Sequence, residues 1–441
     1  MPENYNDQTG NFADWDRDTG PAETGPSQST TLDLLPQGAG FEAQSTPAKK
    51  DPWRVAAAAL IIAFGACLIA AIQFATQTDQ KTTQRDYIQY WVIGQQLIHG
   101  ADPYDVAALT QLEEKAGLGS DLPRISLSPP AVFFLMLPLG LVSPKTGYIL
   151  WWFLQMGCLS VALWLLWRMN GRPDNRIHLF GYIFTPVLIC LATGQLGIYL
   201  LLGIVLFLYF SETRPTLAGA ALLPCALKPH LFLVFALVLV SWVVYRKAFR
   251  ILLGFLAAVT ASCALVYCFD PHVWSQYFDK MRVTRVMQVY IPTFGDSLRF
   301  LVDRNSVWLQ FLPALAGCVW ALWYFLTRRE RWDWMNHGLL LILVSDVCAP
   351  YGFFNDECIL LPLILVGLYR AVDFKRAFLL FAVLNGVALI EVWAGADMGS
   401  PYYLWSVPAW LAWYFYANGK WVTASQTNRE NATAETSGQA G

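Results

Sequence analysis

Between Trp53 and Tyr416 the chain returns repeatedly to apolar runs, some near the roughly 20 residues that a bilayer-crossing helix needs and some shorter. Hydrocarbon offers no water to backbone N–H and C=O groups, so segments of this kind satisfy themselves as helices. The runs predict spans near 53–75, 147–167, 177–192, 196–211, 215–228, 230–245, 250–269, 306–326, 337–349, 357–370, 376–393 and 402–418. That is an all-α polytopic membrane protein of about twelve transmembrane helices. Composition agrees, with 56% hydrophobic and 14% charged residues, where a soluble domain carries about 25% charged. A net charge of -2 leaves no basic footprint, which argues against nucleic acid as a partner. The nine cysteines lie almost wholly inside apolar stretches without CxxC pairing, so they read as packing residues rather than disulfides or a zinc site.

The polar segment 1–50, rich in Asn, Asp, Gly, Pro, Ser and Thr, cannot bury enough apolar area to offset its ordering entropy and is expected to be disordered. It has no basic n-region and does not read as a signal peptide. The tail 424–441 is similar, which leaves 51–423 as the transmembrane domain. The stretch 129–142 (PPAVFFLMLPLGLV) is short and carries three prolines, so it reads as re-entrant rather than spanning. With that choice Lys49, Lys50, Arg54, Arg168, Arg172, Arg176, Arg214, Arg246, Lys247, Arg250, Arg328, Arg329, Arg331, Arg370, Lys375 and Arg376 all fall on one side. The positive-inside rule makes that side the cytoplasm, with both termini there. Two long loops, 76–128 and 270–305, then lie on the opposite face with the turns at Gly194-Gln195, Lys228-Pro229-His230 and Asn355-Asp356.

The groups that could carry chemistry gather on that outer face. In RDYIQYWVIGQQLIHGADPYD, Ile88, Trp91, Val92 and Gln95 follow the i, i+3, i+4, i+7 spacing of an interfacial helix, and Gly100 is a plausible stop. Asp86 falls in its first turn, where the helix dipole keeps a carboxylate ionised, beside Tyr87 and Tyr90; it is either a simple cap or a general base for a hydroxyl. Asp102 and Asp105 flank Pro103 and Tyr104 in a turn signature and could cap a following helix. Gln195 interrupts an apolar run and must bond a neighbouring helix or face a wet cavity. Lys228, on the outer boundary next to His230, runs against the positive-inside bias and suits a lipid-linked phosphate, or a headgroup reached by snorkelling. Arg282, Arg285, Arg299 and Arg304, with Trp274, Tyr277 and Tyr290, could hold a phosphate and a sugar ring, or form an aromatic belt. Asp356 and Glu357 open an outer helix, and Asp346 is a carboxylate inside an apolar segment.

The succession of Asp86, GADPYD, SPPAVFFLMLPLGLV, the pair Trp151-Trp152, GQ, LKP and APYGFFNDECILLP resembles glycosyltransferase family 87 (GT87, formerly DUF2029), from about Trp53 to about Trp413. That resemblance implies a GT-C-like bundle with interfacial helices in its outer loops, in a bacterial plasma membrane. It also implies an alpha-mannosyltransferase using a polyprenyl-phosphate-mannose donor. By position it makes Asp86 the catalytic base, Lys228 the lysine of the family's K-P pair, Gln195 the glutamine of G-Q, and Asp356 the late aspartate after PY. The chain departs from the family where Ser128-Pro129-Pro130 replaces Tyr-Pro-Pro and Gly295-Asp296-Ser297-Leu298 replaces N-Q-S-L.

The expected reaction moves a hexose from the lipid phosphate to an acceptor hydroxyl on a lipid or glycan. Asp86 serves as base; Lys228, His230, Arg282, Arg285 and Arg299 face the donor phosphate; Tyr90, Asp102, Tyr104, Gln195 and Asp356 face substrate. No metal or other cofactor is called for, since a single phosphate leaves and cationic side chains can neutralise it. A transporter or lipid flippase is the rival, but such folds carry matching interrupted helices in two repeats, and no convincing repeat is found. A noncatalytic scaffold is the third reading, and it predicts that Asp86 and Lys228 tolerate substitution.

Overall fold

The computed structural model describes residues 85–117, 128–283, 290–395 and 399–418. The expected disorder of 1–50 and 424–441, the span at 53–75 and the side chain of Arg285 lie outside these residues. Among the described residues every regular element is helical. The first two helices are α1 (Arg85–Ile98) and α2 (Val106–Lys115). The bundle comprises α3 (Pro144–Met169), α4 (Thr185–Thr193), α5 (Gly197–Phe210), α6 (Pro215–Ala221), α7 (Leu233–Arg246) and α8 (Arg250–Phe269), followed after a second loop by α11 (Leu312–Arg328), α12 (Leu339–Val347), α13 (Leu361–Arg370) and α14 (Phe374–Trp393). That second loop carries α9 (Val273–Val283) and α10 (Phe294–Val302), and residues 406–418 form the last helix, α15.

The expected count of twelve spanning helices is not what the described residues contain. Five helical stretches are long and apolar enough to cross: Pro144–Met169, Pro229–Arg246, Arg250–Phe269, Val307–Arg331 and Phe374–Trp393. At 1.5 Å per residue, the 26 residues of α3 reach about 39 Å, whereas the 14 of α5 reach about 21 Å, less than the roughly 30 Å hydrocarbon core. Prolines account for much of the difference. Pro186, Pro224, Pro229, Pro362 and Pro401 each sit at the first positions of a helix. A ring without an N–H starts a helix there but cannot continue one, so runs that look continuous become a 3-10 turn followed by a shorter α-helix. Residues 177–192, for example, divide into Ile177–Ile183 and α4 at extended Phe184.

The short helix α5 is the most enclosed part of the bundle, with Ile198, Leu200, Leu201, Ile204, Val205 and Phe207 all fully buried. Several of the long helices keep apolar side chains outward: Leu253 on α8 is 63% exposed, Val319 on α11 65% and Ile390 on α14 65%. Such surfaces suit lipid, against which burial of apolar area yields no hydrophobic gain between helices. Polar contacts hold some of the helices instead. Asn385 on α14 accepts from the Thr185 N–H at 2.7 Å while its own carbonyl accepts from Thr185 Oγ1 at 2.9 Å. Ser345 Oγ on α12 accepts from the Val234 N–H of α7 at 3.2 Å.

Residues 129–142 form two buried 3-10 helices, Pro130–Leu135 and Leu137–Leu141. At about 2.0 Å per residue neither reaches across a bilayer. They serve as the bed on which α1 lies.

Candidate functional site

Helix α1 is fixed by one ridge of donors. Tyr87 Oη donates to Pro144 O at 3.0 Å, Trp91 Nε1 to Val142 O at 2.9 Å and Gln95 Nε2 to Gly140 O at 2.6 Å. These side chains at i, i+4 and i+8 meet alternate carbonyls of the segment that runs beneath them. Gly94 and Gly140 let the two backbones touch: a Cβ on Gly140 would stand 2.3 Å from Gly94 O, and one on Gly94 2.2 Å from Met136 O. The apolar face expected at Ile88, Trp91 and Val92 is thus buried against protein, and Gly100 follows the helix end with φ of 64°.

Helix α1 also meets the Gly194–Gln195 turn, where Tyr87 packs against Gly194. Gly194 takes the left-handed conformation, φ 74°, that closes α4. Trp151 Nε1 of α3 donates to Gly194 O at 2.8 Å, and Gln155 Nε2 donates to Gln195 O. The Gln195 side chain, left by sequence with a choice between a neighbouring helix and a wet cavity, accepts from Tyr90 Oη through Oε1 at 3.0 Å. Tyr90 therefore joins α1 to the bundle one turn after Asp86.

Around Tyr90 the charged groups converge. Lys228 Nζ lies 2.5 Å from Asp356 Oδ1, with the lysine side chain 15% exposed and the aspartate 1%. Asp356 Oδ2 accepts the Phe353 N–H at 3.1 Å, so the carboxylate reaches back from the first turn of the 3-10 helix Phe354–Leu360 rather than standing as its N-cap. His230 packs edge-on against Tyr351 at 5.0 Å between ring centroids, and its Nε2 is buried without a hydrogen-bond partner. Burial pushes the Tyr90 phenol far up, and the charges of Asp86 and Asp356 add to that. Tyr351 is pushed up to about 12, by burial first, with Lys228 opposing and Asp356 and Asp86 reinforcing. Both phenols stay protonated as hydrogen-bond donors, and both stand within electrostatic reach of the two aspartates. Asp86, half-buried in the first turn of α1, thus shares one neighbourhood with Asp356, Lys228, Tyr90 and Tyr351.

The other sequence candidates lie in separate settings. Asp102 Oδ1 accepts the Tyr104 N–H at 2.8 Å in a local turn, and Tyr104 Oη donates to Ser128 O at 2.7 Å while its ring meets Phe133 and Tyr277. Asp105, not Asp102, caps α2 through the N–H groups of Ala107 and Ala108. Burial raises the Asp102 carboxyl, with Asp105 and Asp270 adding repulsion and the Tyr104 N–H and Lys280 opposing. Arg282 is on the exposed side of α9, 3.3 Å from Asp279. Arg299 is 1% exposed and ion-paired at 2.8 Å with Asp296, which is fully buried in the first turn of α10. Two participants went unremarked in the sequence, Gln155 and Tyr351. Gln155 carried a usable signal, a glutamine within an apolar helix, the same signal that marked Gln195.

A second feature opens beside this cluster. A small cleft, with room of about 30 Å³, is lined among others by Thr293, Asp346, Phe353, Phe354, Glu357 and Tyr403. Among the described residues, no group of three or more His, Cys, Asp or Glu side chains is arranged to hold a metal ion.

Comparison with known families gives one match: the model of glycosyltransferase family 87 fits residues 127–350. The match includes Trp151, Gln195, Lys228 and His230, and it leaves Asp86 and Asp356 outside its bounds. No curated protein and no solved structure matches the chain.

Proposed function

The chain belongs to glycosyltransferase family 87, and from that premise we propose that it transfers mannose from a polyprenyl-phosphate donor to an acceptor hydroxyl at the outer face of the membrane. Its family makes it a membrane glycosyltransferase with a lipid-linked donor and an acceptor. The observation that carries the finer reading is the meeting of Asp86, on a loop helix, with Lys228 and Asp356 of the bundle around Tyr90 and Tyr351.

In this scheme Asp86 takes the proton from the acceptor hydroxyl. The acceptor oxygen forms a bond to the anomeric carbon as the bond from that carbon to the phosphate oxygen breaks, with inversion. The electron pair leaves on polyprenyl phosphate. Lys228 has three N–H donors and spends one on Asp356, so two remain for phosphate oxygens, and His230 Nε2 stands close by as a further polar contact. Asp356 acts as a positioning residue, holding the ammonium where the phosphate arrives. Developing charge on the leaving group is met by this preset cation in a site partly closed to water. Tyr90 and Gln195 tie α1, and hence Asp86, to the same framework.

The test is transfer by purified protein in nanodiscs, offering radiolabelled polyprenyl-phosphate-mannose or GDP-mannose with a mixture of lipid and glycan acceptors. The proposal predicts product from the lipid donor alone. Product from GDP-mannose, or from neither donor, contradicts it.

A further inference from the structure

We propose that the hydroxyl of Tyr351 is a catalytic hydrogen-bond donor, set beside Lys228 to meet the phosphate that leaves with the polyprenyl chain. Backbone and ring of this residue are both fixed. Gln310 Nε2, itself buried, donates to Pro350 O at 2.5 Å, and Asp356 Oδ2 accepts the Phe353 N–H at 3.1 Å, so the chain is anchored on either flank of Tyr351. The ring meets His230 edge-on at 5.0 Å and Phe353 edge-on at 5.2 Å between centroids. His230 follows Lys228 by two residues, and the carboxylate that holds Phe353 also pairs with the Lys228 ammonium at 2.5 Å. One aspartate thus places both the cation and the turn that carries Tyr351.

The hydroxyl is the group left over. Tyr90, the other phenol of this neighbourhood, donates to Gln195 Oε1 at 3.0 Å. Tyr351 Oη makes no hydrogen bond among the described residues, and the side chain is half-buried rather than enclosed. Packing that fixes a ring and leaves its polar tip unmet presets a donor for a ligand. Burial pushes this phenol up to about 12, with Lys228 opposing and Asp356 and Asp86 reinforcing, so it keeps its proton and cannot serve as the base. It stands within electrostatic reach of the Lys228 ammonium, and an oxygen drawn to that cation carries negative charge. In the proposed transfer that oxygen belongs to the leaving phosphate. As the bond from the anomeric carbon breaks, its electron pair stays with the phosphate oxygen, and a donor already in place binds more strongly as the charge grows. The inference rests on the lipid-phosphate donor of the proposed function.

Tyr351→Phe keeps the ring contacts and deletes the hydroxyl alone. The first readout needs no turnover: equilibrium binding of radiolabelled polyprenyl monophosphate to the full chain in nanodiscs, with polyprenol as the neutral control. The wild type is expected to bind the phosphate, and Tyr351→Phe to bind it about tenfold more weakly, the loss of one hydrogen bond to a charged group, with polyprenol binding equal in the two. In transfer the variant should lose about a hundredfold in kcat, with KM for acceptor and melting temperature kept. Unchanged phosphate affinity overturns the inference whatever happens to kcat; a lower kcat in that case would move the hydroxyl to the acceptor side, beside Asp86. Weaker phosphate binding with unchanged kcat would leave Tyr351 a binding residue and overturn its catalytic role. If Tyr351→Phe does not fold, meta-fluorotyrosine at position 351 decides: its fluorine resonance should shift on addition of polyprenyl monophosphate and stay in place with polyprenol, and a resonance indifferent to both overturns the inference. A wild type that binds polyprenyl monophosphate through Tyr351 yet transfers no mannose counts against the sugar assignment alone. One that binds no polyprenyl monophosphate removes the donor reading and this inference with it.

Discussion

Breaking the Lys228–Asp356 pair from one side should cost far more than removing it whole. Asp356 is 1% exposed and holds two donors, Lys228 Nζ at 2.5 Å and the Phe353 N–H at 3.1 Å. Removing one partner of a buried pair strands the other charge, at about 3–5 kcal/mol. Asp356→Ala should fall near the lower end, about 3 kcal/mol, because Lys228 keeps 15% exposure and its stem can carry the ammonium toward water. Lys228→Met should cost about 4 kcal/mol, since the aspartate it strands is the more deeply buried. The double variant loses both charges together and the Phe353 N–H contact, a net cost of about 1–2 kcal/mol. The cycle therefore predicts a coupling of several kcal/mol, far outside the roughly 0.5 kcal/mol scatter of independent sites. Equilibrium unfolding in mixed micelles measures all four corners. Additive single variants would refute the claim that the two groups form one buried electrostatic unit.

Three further outcomes follow from the same geometry. Gly140→Ala puts a methyl 2.3 Å from Gly94 O, where only backbone can yield; overpacking of about 1–3 kcal/mol should appear as a lower melting temperature together with lost transfer, because α1 carries Asp86. Tyr90→Phe removes the donor to Gln195 Oε1; it should cost about 1 kcal/mol and lower kcat more than it raises either KM. Asp102 has a carboxyl raised above its ordinary value, so the folded state holds that proton more tightly than the unfolded state. Its contribution to stability is therefore present at low pH and lost as pH rises through the raised value. Asp102→Asn keeps the turn acceptor and removes the charge, so it should melt higher than wild type at about pH 7 and equal to it near pH 4. Equal melting at both values would show that the burial of Asp102 carries no energetic weight.

Local order was legible where a residue acts within its own helix. The first-turn position of Asp86, the face made by Ile88, Trp91 and Val92, and the stop at Gly100 all follow from spacing over a few residues. The number of crossing helices was not, because Pro186, Pro224 and Pro362 turn apolar runs into 3-10 starts and short helices, while hydropathy sums straight across them. Nor could spacing pair Lys228 with Asp356 across 128 residues; sequence marks each as misplaced for a membrane, and only the fold makes one the reason for the other. Arg299 shows the reverse case. Its i, i+3 relation to Asp296 is plain in the sequence, but the near-complete burial that separates it from exposed Arg282 is a property of packing.

The central claim is that Asp86 removes the acceptor proton, and single-turnover transfer by Asp86→Asn tests it most directly. With polyprenyl-phosphate-mannose and acceptor both saturating, the account predicts a rate lower by about 10²–10⁴, the range typical of general base catalysis, with donor and acceptor binding and the melting temperature kept. Transfer at the wild-type rate by this variant would make Asp86 a helix-capping residue and move the base elsewhere.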